Sequence, residues 1–157
     1  MEEKLGNKNI ENAGQDAKAL FLKGFNCAES SLLAVCGALE IKSDSAPKVA
    51  TGFGGGVSRF GGICGALSGT VMAMGLIEGR KDPKDNEAKI NLYRMGAELL
   101  NEFKTEYGTV DCRDLIGFDL QTEEGLAKFI SEKFHEKVCP KFVEFAVLKG
   151  IDILKKK

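Results

Sequence analysis

The sequence predicts an all-α protein: a single-domain bundle of about five to six helices, with a glycine-rich loop before a central apolar helix. Three observations carry this. Apolar residues recur at three- and four-residue steps along nearly the whole chain. No Asn-Gly hairpin turn or alternating strand pattern interrupts them. The 157 residues suit one domain spanning 1–157 and can bury roughly 70% of the unfolded surface without disulfides.

Ala13, Ala17, Leu20, Phe21 and Gly24 mark a first amphipathic helix, interrupted by "GFN" at 24–26. Residues 1–11 before it, and the "KKK" at 155–157, are expected to be frayed ends. A second helix runs over 27–39, with Ala28, Leu32, Val35 and Leu39 apolar, and "KSDSAP" turns the chain. "KVATGFGGGVSRFGG" begins as a short helix and dissolves into the glycine-rich loop. The central apolar helix covers 64–78 and stops at Gly79. The segment 87–107 carries the stripe Leu92, Met95, Leu99 and Phe103 and ends at Gly108. "TVDCRDLIGFDLQ" is irregular, and Thr122 caps a helix bearing Leu126, Phe129, Ile130 and Phe134. A last helix starts at Pro140 and runs toward Leu154.

Charged residues make up 29% and the net charge is −1, with Lys and Arg spread along the chain. Such a chain has no basic face for phosphates, so no nucleic-acid partner is expected. The stretch 60–77 holds no charge, yet Gly61, Gly62, Gly65, Gly69 and Gly75 leave it only mildly apolar, a core helix and not a membrane span. The beginning "MEEKLGNKNIENAG" lacks the basic-then-apolar pattern of a secretory signal, which places the expectation in the cytoplasm. Thiols stay reduced there, and five cysteines point to redox or metal chemistry before a disulfide framework.

The glycines do not form a phosphate cradle. From Gly52 and Gly54 the sixth position of G-x-G-x-x-G is Val57, and after Gly56 and Gly61 comes Gly62 where a P-loop needs lysine. A packing reason fits better: Gly61, Gly65, Gly69 and Ala73 fall every four residues, a strip that lets another backbone approach closely. The strip could serve a neighbouring helix or a second copy, so a homodimer stays open. For Cys64 within it, the plain alternative is a small buried apolar residue.

Four of the five cysteines fall at expected helix starts. Asn26 and Glu29 form a capping box that makes Cys27 the first residue of its helix. Cys64 opens the central helix, Cys112 begins "CRDLI", and Cys139 precedes Pro140. Unpaired N–H groups at helix starts favour a thiolate, the form that attacks disulfides and binds metals. Gly62 and Gly65 would keep the surroundings of Cys64 open to a cofactor, and Arg59 or Arg113 could support the charge. Cys36 lies mid-helix, nine residues after Cys27 and on the opposite side, and reads as packing. No C-x-x-C or C-x-x-C-H occurs, and the lone His135, on the polar part of a helix pattern, reads as a solvated or satisfied histidine before a ligand or general base.

The succession "FNCAES", "GFGGGVSRFGGICGALSG", "DCRDLIG" and "VCPKF" resembles the C_GCAxxG_C_C family of redox proteins, from about residue 20 to 147. Cys64, Gly65, Ala66 and Gly69 match its central element, and Cys27, Cys112 and Cys139 match its other cysteines; Cys36 lies outside the pattern. The chain is similar, more distantly, to the iron–sulfur part of split-Soret cytochromes, without their haem motif. The resemblance implies a small helical protein whose four cysteines act in redox chemistry with an unnamed partner. Three functions are weighed: thiol/disulfide or electron transfer at Cys27, Cys64, Cys112 and Cys139; a metalloprotein using the same four as ligands of an iron–sulfur cluster, ahead of zinc; and a helical interaction or ligand-binding domain whose thiols merely pack.

Overall fold

The computed structural model describes residues 10–156. Helix α1 (Ala13–Lys23) ends at Gly24, whose φ of 127° turns the chain and whose N–H meets the Leu20 and Phe21 carbonyls. Helix α2 (Cys27–Ala38) starts at the expected capping box: the Asn26 side chain accepts from the Glu29 N–H, and the Glu29 carboxylate accepts from the Asn26 N–H. After α3 (Ala46–Ala50) comes α4 (Gly65–Glu78), the apolar helix. Helix α5 (Asn86–Tyr107) is capped by Asp85 and closed by left-handed Gly108. Then follow α6 (Cys112–Ile116), α7 (Glu123–Ser131) capped by the Thr122 hydroxyl, α8 (Phe134–Lys137) and α9 (Cys139–Lys155).

The described residues therefore form more than the five to six helices expected. Two of the extra ones, α3 and α6, are the short turns expected around "KVATG" and "CRDLI"; α8 is unforeseen, a single turn too short to show a repeat of apolar positions. No strand occurs among the described residues; Ile63 and Asp111 form one isolated antiparallel bridge. No described helix is long and apolar enough to cross a membrane. Of the expected frayed ends, 1–9 and 157 lie outside the described residues; Ile10 is buried in the core, and α9 continues to Lys155.

Helices α2 and α4 pack closely, α9 crosses both, α1 lies on α2 and α9, and α5 on α4 and α9. Leu32, Leu67, Met74, Leu99, Phe103 and Val147 are fully buried between them, each side chain contributing about 1.5–3 kcal/mol of apolar burial. Small residues set the spacing. A Cβ on Gly69 would collide with the Ala28 carbonyl of α2, and one on Gly150 of α9 with the Thr70 methyl. Thr70 is itself fully buried, its hydroxyl donating to the Ala66 carbonyl at 2.8 Å.

The small-residue strip is thus spent inside the molecule. Gly61 does not belong to it: it precedes α4, takes a φ of 79°, and faces Arg113. Gly69→Ala is expected to lower stability by about 1–3 kcal/mol through overpacking. Gly37→Ala, at an exposed α2 position where a Cβ meets nothing within 4 Å, should be neutral or stabilising by about 0.5–1 kcal/mol. Urea melts of both variants check the contrast.

Candidate functional site

A cavity of about 450 Å³ opens where the starts of α2, α4, α6 and α9 converge. Cys27, Cys64, Cys112 and Cys139 all line it, and Cys36 does not. Cys64 is 6% exposed and the other three are half-buried. All five cysteines are free thiols.

Local hydrogen bonds place each sulfur. The capping box fixes Cys27 as the first residue of α2. Cys64 precedes α4 and donates its N–H to Val110 at 2.8 Å, while Cys112 donates to Gly62 at 2.7 Å and Arg113 to Gly61 at 3.2 Å. This short ladder around the Ile63–Asp111 bridge joins Cys64 to Cys112 across a long stretch of chain. Cys139 begins α9, with Pro140 fully compatible with the first turn.

The loop beside the cavity has an unusual backbone. Gly55, Gly56, Val57, Ser58 and Arg59 all have φ between 50° and 69°, a left-handed turn in which three residues carry a Cβ. Each of those three costs roughly 1–2 kcal/mol relative to a right-handed conformation. Bonds from Ser58 N–H to Gly52 (2.8 Å), Gly61 to Gly55 (3.0 Å) and Gly62 to Gly56 (3.0 Å) hold the turn. Gly56 is indispensable there, since a Cβ would strike Gly62. The turn brings Arg59 to the cavity wall and aims the Gly55 N–H at the Cys27 sulfur.

Burial dominates the electrostatics. It pushes the Cys27 thiol up, against the opposing pull of N–H groups from Gly55, Ala28 and Gly65. Cys64 lies well above its ordinary value, through burial first and then the charge that Cys27 would carry. Burial and Cys27 push Cys112 up to about 11; burial, Cys27 and Cys112 push Cys139 up to about 12. Cys27 is the hub, acting on each of the other three. The expectation that helix starts would favour thiolates is corrected: removal from water outweighs the N-terminal donors.

Two other expectations change. Gly62 and Gly65 do not line the cavity; Gly62 serves the ladder, and Gly65 makes room for Cys27, whose sulfur a Cβ there would strike. Arg113 does not line it either: it pairs with Asp119 at 3.2 Å and donates to the Phe60 carbonyl at 3.3 Å. Of the two states expected for His135, solvated or satisfied, it takes the second: it is half-buried, stacks on Phe21 with ring centroids 4.1 Å apart, and lines the cavity. Only this contact between α1 and α8 reveals it, and no local pattern announces such a contact.

Four thiols are soft ligands, suited to zinc or iron–sulfur chemistry. Among the described residues, however, no three His, Cys, Asp or Glu side chains gather tightly enough to hold one metal ion. Tetrahedral zinc, with every sulfur about 2.3 Å from one point, does not fit this arrangement.

Residues 25–153 match the family described as "Putative redox-active protein (C_GCAxxG_C_C)". The chain belongs to this family. It is also similar to an uncharacterized protein of Archaeoglobus fulgidus, 35% identical over 97 residues, which covers 57% of this chain and 64% of that protein. No solved structure matches the chain.

Neutral, desolvated thiols alkylate slowly. At pH 8, Cys112 with its pKa near 11 is expected to react with iodoacetamide about 100-fold more slowly than a thiol at the ordinary value of 9.0. Its rate should keep rising beyond pH 10, and unfolding in urea should abolish the difference. Peptide mapping by mass spectrometry reads each cysteine. Because the folded-state values are raised, the thiols' contribution to stability is complete below about pH 9 and is lost as pH climbs toward 11 and 12.

Proposed function

We propose that this chain is a redox protein whose chemistry takes place at Cys27, Cys64, Cys112 and Cys139, two of them cycling between dithiol and disulfide. The observation that supports it is the joint lining of one cavity by these four cysteines, drawn from four separate helix starts, with Cys36 excluded. Arg59 is the cationic side chain at hand for a transient thiolate. We place the protein in the cytoplasm, where thiols stay reduced and these four cysteines remain available for chemistry.

A second reading is an iron–sulfur electron carrier. It is favoured by the number of thiols, twice what one disulfide uses, and by the backbone N–H groups of Gly55, Ala28 and Gly65 directed at the Cys27 sulfur. Such donors tune the potential of a thiolate-held cluster. Cys27, Cys64, Cys112 and Cys139 would be the ligands, and the cluster would supply one-electron chemistry.

Anaerobic purification, a visible spectrum, iron and sulfide analysis and a thiol count separate the two. The dithiol reading expects a colourless protein that loses two thiols on mild oxidation and regains them with dithiothreitol. Cys36→Ser should leave this loss unchanged, whereas, of Cys27→Ser, Cys64→Ser, Cys112→Ser and Cys139→Ser, the two that remove the pairing sulfurs should abolish it. Stoichiometric iron with charge-transfer absorption selects the cluster. Five thiols that stay inert in a metal-free protein contradict both.

A further inference from the structure

The cavity is larger and more apolar than four sulfurs require. Beyond the cysteines its apolar walls include Phe21, Phe25, Leu126, Phe129 and Phe142. Its polar side chains are Asn26, Thr51, Ser58, Arg59 and His135, the last two supplying N–H donors. No carboxylate lines it. A volume near 450 Å³ with aromatic walls and few polar groups is the usual form of a small-molecule site. Its arginine suits electron-rich oxygens, and it has no carboxylate with which a cation could pair.

Access narrows the redox partner further. A protein disulfide must bring its own sulfur into line with an attacking thiolate. Cys64 is almost wholly buried and the other three cysteines are half-buried, in a cavity whose wall includes Leu126 and Phe129 of α7. A small flat ring reaches such recessed sulfurs with less rearrangement than a folded partner needs.

We propose that the cavity binds a quinone-type ring, a small planar molecule with two conjugated carbonyls, which takes two electrons from a pair of the cysteines. This rests on the dithiol form of the proposed function. Two S–H bonds break and one S–S bond forms; two electrons and two protons pass to the ring, whose two carbonyl oxygens become hydroxyls. Both protons come from the two thiols, and Arg59 at the cavity wall supports the thiolate that forms the S–S bond. Arg59 and His135 would meet the carbonyl oxygens, and the phenylalanines the ring faces.

The test uses the full chain, reduced and anaerobic, with 2,3,5,6-tetramethyl-1,4-benzoquinone, whose substituted ring has no free C–H position for thiol addition. Binding is followed by saturation-transfer NMR, hydroquinone by absorbance, and disulfide by a mass decrease of two hydrogens. The expected result is saturable binding with one hydroquinone formed per disulfide, weakened about tenfold in affinity by Phe129→Ala or Leu126→Ala. Circular dichroism confirms that both variants are folded. The dication methyl viologen should not bind.

Diamide, a small thiol oxidant, is run in parallel. Disulfide formed by diamide but not by the quinone overturns this inference and leaves the dithiol reading standing. Thiols that survive both reagents overturn the inference together with that reading. Quinone binding without thiol loss, unaltered affinity in both folded variants, or methyl viologen bound equally well also overturns it.

Discussion

The close crossing of α2 and α4 is the contact on which the site depends. Gly65 and Gly69 stand where any side chain would meet Cys27 or the Ala28 backbone. That absence of bulk lets the starts of two helices meet, and with them Cys27 and the residue just before α4, Cys64. Helix α9 then crosses both, with Gly150 against Thr70, and delivers Cys139 to the same end of the bundle. The packing strip and the cysteine arrangement are one device: widening the crossing by a methyl group would move a sulfur as well as loosen the core.

Against this rigid crossing stands a costly loop. Three side-chain-bearing residues in the left-handed region are retained next to the cavity, held by hydrogen bonds that reach back five and six residues. Strained backbone of this kind persists where its surroundings over-determine it, and such places cluster at functional sites. The gain here is concrete: a backbone donor for the hub sulfur and the cavity's arginine come from the same turn.

Much of the fold was legible because its signals are local. The Asn26–Glu29 capping box, Thr122 at the start of α7 and Gly108 at the end of α5 are each readable within four residues, and each stands where expected. The placement of Cys27, Cys112 and Cys139 at helix starts was readable for the same reason. The one-turn α8 was not, because one turn has no period and Lys133 before it is not a capping residue. Nor was the left-handed turn, because Val57, Ser58 and Arg59 are not residues that signal positive φ. His135 and Phe21 meet only through the fold. The thiols' acidity was misjudged for a related reason: a helix start is a local property, whereas removal from water depends on every element around the cavity.

The ladder around Ile63 and Asp111 has one more consequence. It couples the glycine-rich loop to the start of α6, segments far apart in sequence, through Cys64, Cys112 and Arg113 N–H groups. Closing so long a loop carries an entropic cost that must be met before the contacts it brings can form. The cysteine-lined chamber therefore exists only where these distant parts of the chain are joined. The completed chamber is the chain's own quality mark: its sulfurs share one environment only in the native topology.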